Sequence, residues 1–104
     1  PRADAATYSA SKAAVHSYTL SLRHQLRGRV QVIELVPPAV QTELTPGQSS
    51  REGYMPLLAF VDEVMEQFTR SPVPDEVLVE RVHFQRRAEA ENRFAEALER
   101  VNAH

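Results

Sequence analysis

Residues 30–38 read Val-Gln-Val-Ile-Glu-Leu-Val-Pro-Pro, a run rich in β-branched side chains that ends in two prolines. The alternation of polar and apolar residues in this run is weak, which is typical of a strand that is covered on both faces in a parallel sheet. Pro37 and Pro38 end the strand, because proline cannot donate a hydrogen bond to a neighbouring strand. The stretch therefore predicts one buried strand from Val30 to Val36.

The residues before this strand predict a long helix, from about Asp4 to Leu26. Several side chains recur there at spacings of three and four residues, as expected of residues that share one helical face. The members of this stripe are Tyr8, Lys12, Val15, Thr19, Leu22 and Leu26. Gly28 follows the helix and offers the left-handed conformation in which helices commonly end.

The residues after the strand predict a loop, a helix, a short strand and a last helix. Residues 39–54 contain Pro, Gly and Ser at turn-forming positions and predict a long mobile loop with little regular structure. Pro56 suits the first turn of a helix that ends near Ser71, with a single apolar stripe. That stripe consists of Leu57, Val61, Val64 and Phe68. A short strand is predicted at Val77 to Val79, and a final helix from about Gln85 to Val101.

This order of elements is that of one half of a doubly wound α/β sheet. A lone parallel strand leaves backbone donors and acceptors unpaired along both edges, and no helix can satisfy them. We therefore expect residues 1–104 to be the C-terminal part of a single Rossmann-type α/β domain. As a separate stretch it should be rich in helix, and its N-terminal, cofactor-binding part is expected to lie outside this sequence.

Composition excludes several classes of protein. The chain has 104 residues, no cysteine and a net charge of −2. Its charge balance lacks the excess of basic residues expected of a nucleic-acid-binding protein. The longest stretch without a charged residue has ten residues, about half of the roughly 20 needed to cross a bilayer. The lack of cysteine excludes disulfides and thiolate metal sites, and a cytoplasmic location fits best.

Tyr8 and Lys12 are the first candidates for chemistry. The basic residues are eleven arginines and one lysine, so Lys12 is a candidate for a task that needs a compact ammonium group. Its spacing from Tyr8 places both side chains on one helical face. An ammonium group and a helix N-terminus would stabilise a phenolate, which makes Tyr8 a possible general acid and base. On spacing alone, an ordinary exposed Tyr-Lys pair remains the alternative.

Two stretches carry a resemblance to a known family. Tyr8-Ser-Ala-Ser-Lys12-Ala-Ala closely resembles the active-site helix of the short-chain dehydrogenase/reductase family, whose signature is Tyr-x-x-x-Lys followed by small residues. Residues 32–42, Val-Ile-Glu-Leu-Val-Pro-Pro-Ala-Val-Gln-Thr, are similar to the sixth strand and the cofactor-binding turn of that family. The Pro-Pro-x-Val-Gln-Thr form of this turn looks most like the DltE branch.

The resemblance implies an oxidoreductase that uses NAD or NADP to interconvert an alcohol and a carbonyl. Tyr8 would exchange a proton with the substrate, and Lys12 would bind the nicotinamide ribose. The backbone of Val40 and the hydroxyl of Thr42 would contact the carboxamide and the pyrophosphate of the cofactor. Pro38 belongs to the same turn, where the family usually has glycine, and it has no backbone N–H to donate.

The resemblance also implies what the rest of the chain does and lacks. Residues 41–54 would form the segment that closes over a small-molecule substrate, in keeping with their turn-rich composition. The glycine-rich phosphate turn, the residue that selects NAD or NADP, and the catalytic serine of the family are missing. We therefore expect this stretch alone to be inactive.

A second hypothesis is a non-catalytic helical interaction module. Four small residues repeat with helical spacing and would let another helix approach closely. They are Ala10, Ala14, Ser17 and Ser21. This stripe resembles the helix-pairing dimer surface of the same family, so we expect a homo-oligomer formed through the helix from Tyr8 to Leu26.

The remaining polar residues have plainer interpretations. Ser9 and Ser11 are expected to be helix-surface serines, because the Gly-x-Ser-x-Gly motif of a nucleophilic serine is absent. No metal site is predicted, since the four histidines lack close ligand spacing. They are His16, His24, His83 and His104. Glu34 lies within the predicted buried strand, and the sequence assigns it no partner.

Overall fold

The computed structural model describes residues 1–103, and His104 lies outside the described residues. The chain divides into two compact units. The first unit contains residues 1–34 together with the described residues from Phe84 onward, and the second contains Leu35–His83.

The long helix of the first unit, α1, runs from Ala6 to Leu26. It begins two residues after Asp4, whose carboxylate pairs with Arg2 at 2.6 Å, and the residue that precedes the helix, Ala5, makes no side-chain capping bond. Gly28 has a φ of 80°, the left-handed conformation predicted for the end of this helix. Thr19 is buried, whereas most of α1 is exposed.

Two short parallel strands form the sheet. Strand β1 covers Glu34–Val36, and strand β2 covers Glu76–Leu78. The predicted strand from Val30 to Val36 is therefore too long, because β2 offers only three residues for pairing. The prediction that this strand is buried is also wrong, since Leu35 is 45% exposed and its two neighbours in β1 are only half-buried. The centre of the second unit lies at β2, where Val77 and Val79 are almost completely buried.

Helix α2 runs from Leu57 to Phe68 and follows Pro56, as predicted. The predicted apolar stripe is only partly inward, since Val64 is buried while Leu57, Val61 and Phe68 are more than a third exposed. Gln67 is buried in this helix instead. Its side-chain amide donates to the Leu78 carbonyl and accepts the Leu78 N–H at 3.4 Å, which joins α2 to β2.

The loop between β1 and α2 contains more hydrogen-bonded structure than predicted. A parallel bridge between Val40 and Met55 closes its base. Met55 donates to the Ala39 carbonyl at 2.9 Å, and Gln41 donates to the Met55 carbonyl at 2.8 Å. A short 3-10 helix, Gln48–Ser50, lies within the loop.

The prediction of one final helix from Gln85 to Val101 is wrong. The structure has a four-residue helix α3, His83–Arg86, and a separate helix α4, Phe94–Asn102. Between them Asn92 adopts a φ of 58°, and Arg93 donates to the Ala88 carbonyl at 2.7 Å. This six-to-one hydrogen bond around a left-handed residue is a Schellman motif, which ends the preceding turn and prevents a continuous helix.

The order of helices and parallel strands confirms the predicted α/β class, rich in helix. No helix within residues 1–103 combines the length and the apolar character that crossing a membrane requires.

Candidate functional site

Tyr8 and Lys12 lie on the same face of α1, in the first unit. The Lys12 ammonium is 5.5 Å from the centre of the Tyr8 ring, close enough for a favourable cation–π interaction. The Tyr8 side chain is 56% exposed, so a ligand can reach it from solvent. Tyr8 also belongs to the first turn of a 21-residue helix, where the helix dipole favours negative charge.

The serines beside this pair bind the backbone of the helix start. The Ser11 hydroxyl donates to the Tyr8 carbonyl at 2.8 Å. The Ser9 hydroxyl accepts the Arg2 backbone N–H at 2.9 Å. Both contacts match the interpretation of these residues as helix-surface serines, and they hold the backbone on either side of Tyr8.

One helical turn beyond Lys12, His16 contacts the carboxylate that lacked a partner in the sequence. His16 Nδ1 lies 2.8 Å from Glu34 Oε2, and the Arg86 guanidinium lies 2.8 Å from Glu34 Oε1. Arg86 also lies 2.7 Å from His16 Nδ1. Both contacts use the same nitrogen, His16 Nδ1. When Nδ1 carries a proton it donates to the Glu34 carboxylate, and when it does not it accepts a hydrogen bond from Arg86, because arginine can only donate.

The charge on Glu34 is stabilised by these neighbours. Burial by itself raises the pKa of the Glu34 carboxyl, but the hydrogen bond with His16 and the positive charge of Arg86 outweigh it, so the pKa lies below its ordinary value. Glu34 is therefore an ionised carboxylate at neutral pH. The Glu34 carboxylate holds the His16 side chain in place. His16 lies on the inward face of α1, and the small residues, such as Ala10 and Ala14, lie on the opposite face.

The predicted cofactor-binding turn lies in the second unit. Pro38 is half-buried, and Val40 is 7% exposed. The Val40 carbonyl accepts two hydrogen bonds, from the Thr42 backbone N–H at 2.9 Å and from the Gln48 side-chain amide at 2.8 Å. The same Gln48 amide lies 3.3 Å from the Thr42 hydroxyl oxygen, which also accepts the Leu44 N–H at 3.3 Å.

The predicted site residues thus form two local groups. In the first unit the structure brings Tyr8 and Lys12 together, and in the second it brings Val40 and Thr42 together. Sequence reasoning missed Gln48, which contacts both members of the second group. The sequence indicated Gln48 only through its position in a loop predicted to be functional. Its contacts with Val40 and Thr42 depend on how that loop folds back, which the sequence pattern does not specify.

The first unit also contains a groove of about 700 Å³. It lies between the start of α1 and the end of α4, and neither Tyr8 nor Lys12 lines it. The residues that do are mostly small or apolar, among them Ala6, Ala10, Ala13 and Leu98. The groove is therefore separate from the face of α1 that carries the Tyr-Lys pair.

Comparison with known proteins assigns the family. The family described as short chain dehydrogenase matches residues 1–53, a stretch that includes Tyr8, Lys12 and the turn at Val40 and Thr42. The match covers just over half of the 104 residues. The chain therefore belongs to the short-chain dehydrogenase family, an oxidoreductase family.

Within that family, the chain is similar to the uncharacterized oxidoreductase DltE of Bacillus subtilis (strain 168). The two are 51% identical over 47 residues, in agreement with the predicted branch. The match covers 44% of this chain and 19% of the relative, so the chain matches about a fifth of that protein's length. No solved structure matches the chain.

Proposed function

We propose that this chain carries the proton-transfer residues, and part of the cofactor-binding turn, of an NAD(P)-dependent oxidoreductase that interconverts an alcohol and a carbonyl. The observation that carries the proposal is the Lys12 ammonium held 5.5 Å from the exposed Tyr8 ring, in a chain of the short-chain dehydrogenase family. Residues 1–104 would form the C-terminal, catalytic part of one Rossmann-type domain. The lack of cysteine supports a cytoplasmic location.

The residues of the second unit fit a nicotinamide cofactor. The Val40 carbonyl already accepts a hydrogen bond from a primary amide, that of Gln48, and the nicotinamide carboxamide is also a primary amide. The Thr42 oxygen accepts two N–H groups, which leaves its own proton available to an anionic oxygen such as that of a pyrophosphate. When bound, the nicotinamide ring would supply or accept the hydride.

The residues of α1 would handle the proton. During reduction the Tyr8 hydroxyl donates its proton to the carbonyl oxygen of the substrate, and during oxidation the Tyr8 phenolate removes the proton of the alcohol. The Lys12 ammonium and the positive end of α1 stabilise that phenolate. The three N–H donors of Lys12 can also bind ribose hydroxyls, which would place the cofactor beside the phenol.

The proposal is tested by Tyr8→Phe, which removes only the hydroxyl oxygen of Tyr8. In the intact protein, Tyr8→Phe should lower kcat by at least about 100-fold, the lower limit for loss of a general acid, while the Kd for NADH or NADPH stays nearly unchanged. The matched control is Tyr18→Phe, because Tyr18 lies on the same helix and is 68% exposed. This control should keep its turnover, and retained turnover in Tyr8→Phe would refute the assignment.

A second candidate function, a non-catalytic interaction module, is favoured by one observation. The small residues Ala10, Ala14, Ser17 and Ser21 are all exposed on α1, as required of a surface that pairs with another helix. The two functions differ in a simple measurement. When NAD or NADP and a series of alcohols are added to the intact protein, an enzyme produces the absorbance of the reduced nicotinamide, whereas a module does not.

A further inference from the structure

The side-chain amide of Gln48 is bonded to the Val40 carbonyl oxygen, which the proposed cofactor needs as an acceptor. A backbone carbonyl has two lone pairs, and both acceptor positions of the Val40 carbonyl are taken, one by the Thr42 N–H and the other by the Gln48 amide. The Thr42 N–H is fixed in the adjoining backbone turn. The Gln48 side chain, by contrast, can leave by rotation about its own bonds.

Gln48 is held in this position at both ends of its amide. Its nitrogen donates to Val40 at 2.8 Å and lies 3.3 Å from the Thr42 oxygen. Its oxygen accepts the Thr45 hydroxyl at 2.8 Å. The side chain is half-buried, so these bonds are partly shielded from competition with water.

We infer that Gln48 is an internal stand-in for the carboxamide of the nicotinamide cofactor, and that it must release the Val40 carbonyl before the cofactor can bind there. The inference rests on the proposed function, and it extends that function to the regulation of the same site. The chemical basis is that Gln48 and nicotinamide present the same group, a primary amide, to the same oxygen. Only one of them can use the lone pair that the Thr42 N–H leaves available.

Release of Gln48 would also change the loop to which it belongs. Gln48 begins the 3-10 helix Gln48–Ser50, and its side chain links that helix to the turn at Val40 and Thr42. Cofactor binding and loop opening are therefore coupled, and each favours the other. The dinucleotide would loosen residues 41–54 before the substrate enters.

The experiment measures nucleotide binding to the intact protein by the fluorescence of NADH and NADPH. Gln48→Met keeps the length of the side chain and removes the donor, and Gln48→Ala removes the amide altogether. Each should bind the nucleotide about two- to tenfold more tightly than the wild type, the range expected when one competing hydrogen bond is removed. The matched control is Gln85→Ala, since Gln85 is an exposed glutamine on α3 outside the cofactor-binding turn and the loop, and it should bind the nucleotide as tightly as the wild type.

A second readout follows the loop itself. Hydrogen exchange of the amides in residues 41–54 should speed up in the wild type when NADH or NADPH is added. In Gln48→Met exchange should be fast from the start and change little with the nucleotide. Weaker or unchanged binding in both Gln48 variants would overturn the inference and leave the proposed function standing. If neither the wild type nor any variant binds either nucleotide, the proposed function falls and the inference falls with it.

Discussion

At the scale of single residues, Glu34 shows how a charge is accommodated at a mostly covered position of a half-exposed strand. Its side chain is only 10% exposed, and desolvation of a carboxylate is costly unless the charge is paired and hydrogen-bonded. His16 and Arg86 supply that pairing from 18 and 52 residues away along the chain. The cluster therefore joins the middle of α1 to the beginning of β1 and to α3.

Replacing Glu34 should reveal this dependence on charge. Because the folded pKa of Glu34 is lowered, the carboxylate stabilises the fold above the ordinary glutamate pKa of about 4.3. That contribution is lost as the pH falls through the lowered folded value. We expect Glu34→Gln to reduce the free energy of unfolding at pH 7 by about 1–3 kcal/mol. Below about pH 4.3, the ordinary glutamate pKa, the free energy of unfolding of the variant should fall less steeply with pH than that of the wild type. Denaturant unfolding at a series of pH values measures both effects.

The control for Glu34→Gln is Glu66→Gln on α2. Glu66 pairs with Arg70 at 2.9 Å, but both side chains are more than half exposed. Exposed pairs of this kind contribute at most about 1 kcal/mol, so the control should change stability little at any pH. Equal losses in the two variants would show that burial of Glu34 does not matter.

At the scale of elements, α2 and β2 are joined by Gln67. Its amide satisfies both the N–H and the carbonyl of Leu78, and Gln67 is 7% exposed. Gln67→Ala leaves two backbone groups without these partners, and we expect a loss of about 1–3 kcal/mol of unfolding free energy in denaturant titrations. Met65→Ala, in the same helix at a position 54% exposed, should cost no more than about 0.5 kcal/mol. A comparable loss in both variants would contradict a special role for Gln67.

The sequence predicts elements best where periodicity and a terminating residue agree. For α1 the helical spacing and Gly28 give nearly the observed bounds, and for α2 Pro56 marks the start. The prediction of one continuous final helix fails because the apolar spacing continues through Asn92. Asn92 adopts a left-handed conformation, which a prediction based on periodicity alone ignores. The buried amide of Gln67 was missed for a related reason, since burial in α2 depends on where β2 passes.

The candidate site shows the same difference between contacts that local spacing predicts and contacts that it does not. Tyr8 and Lys12 are four residues apart on a helix, so local geometry alone brings them together. The contact of Gln48 with Val40 and Thr42 depends on a loop that folds back on itself, and no short-range pattern specifies such a fold. The roles of these residues in catalysis and cofactor binding stay predictions.

At the scale of the whole molecule, α1 presents two opposite faces with different side chains. One face carries Tyr8 and Lys12 and continues inward to His16 and Thr19. The opposite face carries the exposed small residues, including Ala10 and Ala14. An exposed row of small side chains allows close approach of a second helix, which would bury a surface that a monomer leaves in water. A homo-oligomer formed through this face would keep the Tyr-Lys face free for substrate.

Ala14→Arg tests that assembly, because a long charged side chain in the centre of the small-residue face prevents close helix packing. In the intact protein we expect the mass measured by light scattering to fall to that of a monomer, or the dissociation constant of the oligomer to rise at least about tenfold, equivalent to about 1.4 kcal/mol. Ala59→Arg is the matched control, since Ala59 is an exposed alanine on α2, and its mass should stay that of the wild type. If Ala14→Arg also keeps the oligomeric mass, α1 does not form the interface, since a helix pair cannot accommodate that side chain without separating.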